Sequence, residues 1–149
     1  MALLDLKSAL LAKHAQHVAL IHFRIALVVV SVVFDLLGFR KNSLALFNAA
    51  YYTAIAASIS AAPAMATGIL AWQLQFGGKP ARGNLRLHMM LALFSSVMIW
   101  LACWLHFQAQ RKPQQPSPRL RSAIEIVAVL LTVLTGHVGG FVSGVNGPG

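Results

Sequence analysis

The stretch VALIHFRIALVVVSVVFDLLG, from Val18 to Gly38, is almost continuously apolar. Its length is close to the roughly 20 residues that an α-helix needs to cross the hydrocarbon core of a bilayer. His22 and Arg24 interrupt it near its start. Because ionisable side chains are rare and unfavourable inside a membrane, these two residues are candidates for function. The stretch therefore predicts a transmembrane helix with polar side chains at one end.

Three more apolar stretches follow, at approximately 44–72, 86–107 and 122–143, and short polar connections separate them. Pro63 is expected to kink the second, and the charged opening segment predicts an interfacial helix before the first span. No soluble domain and no internal repeat are evident. The sequence predicts an all-α integral membrane protein over 1–149, with spans 18–38, 44–72, 86–107 and 122–143 in an up-down four-helix bundle.

The composition favours a membrane protein and excludes other classes. The chain of 149 residues is 58% hydrophobic and only 10% charged, and its mean hydropathy is +0.70. That leaves too little polar surface to enclose a soluble core. The net charge of +9 resides mainly in the connections between spans, where basic side chains anchor helix ends at lipid headgroups. We therefore expect the lipid bilayer, and no nucleic acid, as a partner.

Five of the six histidines are expected at one membrane face. Three lie at the start of the first span, one at the start of the third and one near the end of the fourth: His14, His17, His22, His88 and His137. Successive spans run antiparallel, so these positions meet at the same side of the membrane. Imidazole is a good ligand for iron, copper and zinc and is poorly solvated by hydrocarbon. The pattern favours a bound b-type haem (haem b).

The candidate ligands differ in position. His22 and His88 are the preferred axial pair, because the first and third helices of an up-down bundle are often diagonal neighbours. His137 stands among glycines that would let a flat macrocycle approach the helix, and His17 is the next candidate. These two could hold a second haem, although one haem is favoured over two. The alternative is that the histidines only form hydrogen bonds across the bundle.

Arg24 is the expected partner of a haem propionate. A guanidinium holds a carboxylate through two parallel hydrogen bonds. The alternative is an arginine whose long side chain extends to the headgroups.

Polar residues at the other end of the spans are expected to be structural. His106 lies about 27 Å from the histidine face and predicts an interfacial side chain. Asp35 is expected to pair with the basic turn that follows the first span. Glu125 is expected to pair with Arg121, one helical turn earlier.

The chain resembles a bacterial membrane family known as domain of unknown function 2231. The resemblance rests on HVALIHFRIAL at 17–27 followed by FDLLG at 34–38, on His88, and on TGHVGG at 135–140. It covers nearly the whole chain. The chain departs from the family pattern at Val18 and Arg24, where proline is usual. The resemblance implies a four-span fold and, since relatives occur beside or fused to cytochrome-type domains, a role in redox chemistry.

These observations predict a membrane electron-transfer cytochrome that exchanges electrons with a quinol or an external cytochrome, more in the manner of a subunit than of a stand-alone enzyme. One alternative is a copper or zinc centre formed by His22, His88 and His137 without haem. Another is a structural or assembly subunit of a membrane complex. We expect a multi-pass protein of the bacterial inner (cytoplasmic) membrane, as a homo-oligomer or part of a larger complex. A slight excess of basic residues at the opposite face favours outward-facing histidines.

Overall fold

The computed structural model of the chain describes residues 15–112 and 117–143. Four helices account for most of them: α1 Ala15–Lys41, α2 Leu44–Phe76, α3 Gly83–Arg111 and α4 Pro118–Val142. All four are long and apolar enough to cross a membrane. They coincide with the predicted spans to within about one helical turn. The predicted all-α, four-span architecture is confirmed, and the expected N-terminal interfacial helix falls outside the described residues.

Local sequence explains where the helices end. Gly77 follows α2 with φ of 59°, in the left-handed region that glycine adopts without steric strain. Ser117 caps α4, because its side chain accepts a hydrogen bond from the Leu120 amide, and Pro118 fits the first helical position. Pro63 lies inside α2 without ending it.

The helices form a ring in chain order. α1 packs most extensively on α2 and α3 on α4, while α2 with α3 and α1 with α4 make smaller contacts. α1 and α3 therefore occupy opposite corners of the bundle. We call the membrane face at which these two helices begin the first face, and the opposite one the second face.

The bundle is apolar outside and partly polar inside. Many large apolar side chains of the helices are exposed on its surface, as contact with lipid requires. The side of α2 that faces the interior carries small residues, which allow the helices to approach closely; its buried alanines are Ala50, Ala54, Ala57, Ala61 and Ala64. At mid-height one residue from each helix meets in an apolar layer: Val28, Ala57, Ile99 and Ala128. Polar groups lie on both sides of that layer.

The two hairpins, α1–α2 and α3–α4, bury equivalent positions. Arg24 and Ser95 meet in the interior and are 71 residues apart. The same separation relates further inward-facing pairs: Val28 and Ile99, Ser31 and Ala102, Asp35 and His106, Ala57 and Ala128, Gly68 and Gly139. The bundle thus has an approximate two-fold arrangement. Residue identities show no internal repeat, as expected from the sequence, but the pattern of buried positions does repeat between the two hairpins.

Candidate functional sites in the bundle interior

His17 of α1 contacts the end of α2 at the first face. Its Nδ1 lies 3.0 Å from the hydroxyl oxygen of Thr67. That hydroxyl donates its own proton to the carbonyl oxygens of Pro63 and Ala64, at 2.9 and 3.1 Å. The threonine oxygen therefore accepts from Nδ1–H of the histidine, which places the imidazole lone pair on Nε2. The ring packs on Gly68, where a Cβ atom would lie 3.0 Å from His17 Cε1.

His88 occupies the equivalent position in the second hairpin. Its Nδ1 lies 3.0 Å from the carbonyl oxygen of Thr135 in α4, and a carbonyl can only accept, so Nδ1 is the donor. The lone pair is again on Nε2. The half-buried ring packs on Gly139, where a Cβ would lie only 2.9 Å from Cε1. Both histidines thus have a fixed tautomer and a glycine that makes room for the ring.

His22 and His137 lie on the exposed surface of the bundle. His22 donates from Nδ1 to the carbonyl of Val18 in its own helix, at 2.8 Å. His137 contacts Phe141 edge-on, with ring centroids 5.2 Å apart. Within the described ranges the structure does not bring His22, His88 and His137 together as a group of metal ligands. Haem ligation by these residues stays a prediction, and His14 lies outside the described residues.

Arg24 is buried between α1 and α3, with 6% of its surface exposed. One guanidinium nitrogen, Nη2, donates to Ser95 Oγ at 2.7 Å, while the buried Nε has no hydrogen-bond partner. In the part of the chain that the structure describes, no carboxylate pairs with this arginine. The alternative in which the side chain extends to the headgroups is wrong. A buried cation with an unsatisfied donor calls for an acceptor that the described residues do not supply.

A second polar cluster lies towards the second face, and it joins three helices. His106 Nε2 of α3 lies 2.7 Å from Glu125 Oε1 of α4. The Ser31 hydroxyl of α1 lies 3.0 Å from the same carboxylate oxygen and 3.1 Å from the Ala50 carbonyl oxygen of α2. Arg121 pairs with Asp35, which also accepts from the Ser122 hydroxyl at 2.9 Å. We call Asp35, His106, Arg121 and Glu125 the charged cluster. All four are buried, with at most 6% of each residue exposed.

These contacts correct three expectations. His106 is not interfacial, because α4 supplies Glu125 as its partner. Glu125 does not pair with Arg121 of its own helix, and Asp35 does not pair with the turn at 40–41; instead Arg121 reaches across the bundle to Asp35. These side chains lie on the interior faces of their helices, so each ionisable group pairs with a residue of another helix rather than with a neighbour on its own helix. The available signal was their common depth: the sequence places all three ionisable groups near the second-face ends of their spans.

The charged cluster also borders a small cavity. Glu125 Oε2 is buried and has no hydrogen-bond partner. The cavity is otherwise lined mainly by small and aliphatic side chains: Val28, Ser31, Val32, Ala54, Ala57, Ile99, Ala102 and Ala128. Ligand-type atoms of Asp35, His106 and Glu125 lie within 4.8 Å of one another, the only such trio of possible metal ligands among the described residues. The guanidinium of Arg121 already supplies a cation to Asp35, so the set is not an open metal site.

Comparison with known proteins gives a family but no characterised relative. No curated protein and no solved structure matches the chain. The family model described as predicted membrane protein (DUF2231) matches residues 13–147, which include all four helices and both polar regions. The chain is therefore a member of the DUF2231 family of predicted membrane proteins.

Proposed function

We propose that this membrane protein binds a b-type haem at the first face, where His17 and His88 would hold it, and transfers electrons. The observation that carries the proposal is their equivalence: they occupy matching positions on diagonal helices, and each donates Nδ1–H to a neighbouring helix. Ligating histidines commonly have this second hydrogen bond, which fixes the orientation of the ring. The haem would supply one-electron redox chemistry.

A buried cation deeper in the bundle, Arg24, suits the negative charge of the haem propionates. Arg24 lies two helical turns inside His17, on the same side of α1. Its unpartnered Nε and the lack of a contacting carboxylate suit an anionic group such as a haem propionate. Gly68 and Gly139 remove side-chain bulk beside the two imidazoles. These chain residues would bind and orient the group and exclude lipid from it.

His22 and His137 remain alternative ligands. Their exposed positions suit a haem at the outer surface of the bundle or between copies of the chain better than one in its interior. The redox partner would be a quinol in the bilayer or an external cytochrome. The membrane would be the bacterial inner membrane, with the histidines outward.

Visible absorption spectra of the purified protein test the proposal. We expect reduced b-type bands in the wild type, loss of those bands in both His17→Ala and His88→Ala, and an unchanged spectrum in His22→Ala, which removes an exposed imidazole. Loss of the spectrum in His22→Ala but not in His17→Ala would transfer the axial role to the pair predicted from the sequence.

The same measurement separates the other two functions. Copper or zinc found by metal analysis, without b-type bands, would replace haem by a non-haem histidine site. Neither haem nor metal in protein purified from its native membrane would leave a structural or assembly subunit.

A further inference from the structure

The formal charges of the charged cluster do not sum to zero. Asp35 and Glu125 contribute two negative charges and Arg121 one positive charge, so the cluster carries one net negative charge while His106 is neutral. All four side chains are at least nine-tenths buried within membrane-spanning helices. An uncompensated charge in such surroundings is strongly unfavourable. One further positive charge balances the cluster.

A proton has a place in this geometry. His106 Nε2 and Glu125 Oε1 are 2.7 Å apart, a distance at which one proton bridges the two atoms. The Ser31 hydroxyl, 3.0 Å from the same carboxylate oxygen, is neutral and cannot balance its charge. The other carboxylate oxygen, Oε2, has no hydrogen-bond partner, and Glu125 is one of the residues that line the cavity. The glutamate therefore retains an unused acceptor site beside the shared proton.

The two-fold arrangement of the bundle is broken at this place. The positions in α2 that correspond to Arg121 and Glu125, at the separation of 71 residues seen for Arg24 and Ser95, are Ala50 and Ala54. Both alanines are buried, and Ala54 lines the cavity. At these two positions the first hairpin thus has small alanines, whereas the second has charged side chains.

We propose that the charged cluster is a binding site for one exchangeable proton, held between His106 and Glu125. The proton comes from water at the second face, and its uptake changes the cluster from one net negative charge to neutral without breaking a covalent bond. The groups around it are Asp35 and Ser31 from α1, His106 from α3 and Arg121 from α4, while α2 contributes alanines to the cavity. Buried Asp, Glu and His side chains of this kind mark proton pathways in membrane proteins.

A metal ion fits less well than a proton. Arg121 already neutralises Asp35, and a divalent ion on the three ligand-type atoms would have to displace that guanidinium. The site does not depend on the proposed haem, because no residue of the cluster takes part in the arrangement of His17 or His88.

Thermal unfolding of the full chain in detergent, followed by circular dichroism across a series of pH values, tests the proposal. The folded wild type loses its balancing proton as the pH rises, which leaves the buried cluster with a net charge. The temperature at the midpoint of unfolding should therefore fall towards alkaline pH. In Glu125→Gln the charges of Asp35 and Arg121 cancel while His106 is neutral, so the cluster needs no further proton. The melting temperature of this variant should therefore not fall towards alkaline pH. In His106→Gln the dependence persists, because Glu125 alone carries the proton. Asp5→Asn removes the chain's third acidic side chain and is expected to follow the wild type.

Any of four outcomes would overturn the proposal. Parallel curves for wild type and Glu125→Gln would show that the cluster exchanges no proton. Equal loss of the dependence in Asp5→Asn would place the titrating group elsewhere. A rise in the wild-type midpoint on adding Zn²⁺, absent from Glu125→Gln and reversed by a chelator, would make the cluster a metal site. Should Glu125→Gln fail to fold, loss of the dependence in His106→Gln would reject the assignment to Glu125.

Discussion

His106 and Glu125 stabilise each other in surroundings where neither is favourable alone. Their contact of 2.7 Å provides charge compensation and a hydrogen bond in place of the lost water. The same reasoning separates Arg121, which has Asp35, from Arg24, whose only partner among the described residues is a neutral serine. At the level of single residues, the presence or absence of a compensating charge distinguishes the two ends of the bundle.

Removing the imidazole should be far more harmful than removing an exposed one. His106→Ala leaves Glu125 buried beside Asp35 without its partner, and breaking such a pair costs about 3–5 kcal/mol. His22→Ala removes an exposed side chain that bonds only to its own helix, so its effect should stay within about 0.5 kcal/mol. Equilibrium unfolding in mixed micelles measures both values. Similar losses in the two variants would contradict the structural role of the buried contact.

Arg24→Leu should have opposite effects on the ligand-free and the haem-bound protein. Without an anionic ligand, the variant removes an uncompensated buried cation, so the protein should become more stable. With haem bound, loss of a nearby positive charge stabilises the oxidised iron and lowers the midpoint potential, by an amount equivalent to roughly 1–2 kcal/mol. Redox titration and unfolding of the same preparations provide the comparison. An unchanged or raised potential at full haem occupancy would exclude a propionate partner role for Arg24.

The helices themselves were predictable, whereas their interior faces were not. Length and hydropathy alone give the spans, because a bilayer demands about 20 apolar residues and leaves few alternatives. The mean hydropathy of a span does not indicate which side of the helix faces the bundle interior, since both lipid and the interior accept apolar groups. For that reason the sequence placed His22 and His88 together, while the structure exposes His22 and gives His88 a backbone partner in α4. His106 differs from its expected interfacial position because its partner is a carboxylate, Glu125 of α4, rather than a second histidine.

Two glycines on one helix provide a matched test of the packing of α3 against α4. A Cβ at Gly139 would lie 2.9 Å from His88 Cε1, so Gly139→Ala must displace the ring and should cost about 1–3 kcal/mol. A Cβ at Gly136 meets only Ile25 Cδ1 at 3.9 Å, an ordinary contact. Gly136→Ala should therefore stabilise α4 by roughly 0.5–1 kcal/mol through its higher helix propensity. Unfolding measurements on both variants test this order, and a more harmful Gly136→Ala would contradict the described helix contact.

The whole bundle is an association of two hairpins that bury equivalent positions. Several side-chain hydrogen bonds join one hairpin to the other. Asp35 of α1 pairs with Arg121 of α4, the ion pair between hairpins among the described residues, and accepts from Ser122. Further contacts are Arg24 with Ser95, Ser31 with Glu125, Trp100 with the Ser58 carbonyl, and Gln110 with Asn48. Because lipid is as apolar as the outer surfaces of the helices, association inside a membrane depends on such polar contacts and on close packing of small residues.

This organisation predicts that the chain can be divided between its hairpins. Co-expressed fragments separated between Gly78 and Lys79, in the polar connection, should assemble and co-purify through a tag on one of them, since each contains a complete pair of spans. Asp35→Ala leaves Arg121 buried without its carboxylate, so recovery of the untagged fragment should fall at least about ten-fold. Asp35→Asn keeps a hydrogen-bond acceptor and should fall less, while Arg40→Ala, at an exposed position, is the control. Recovery in Asp35→Ala equal to that of the control would show that the Asp35–Arg121 pair contributes nothing to the association of the two hairpins.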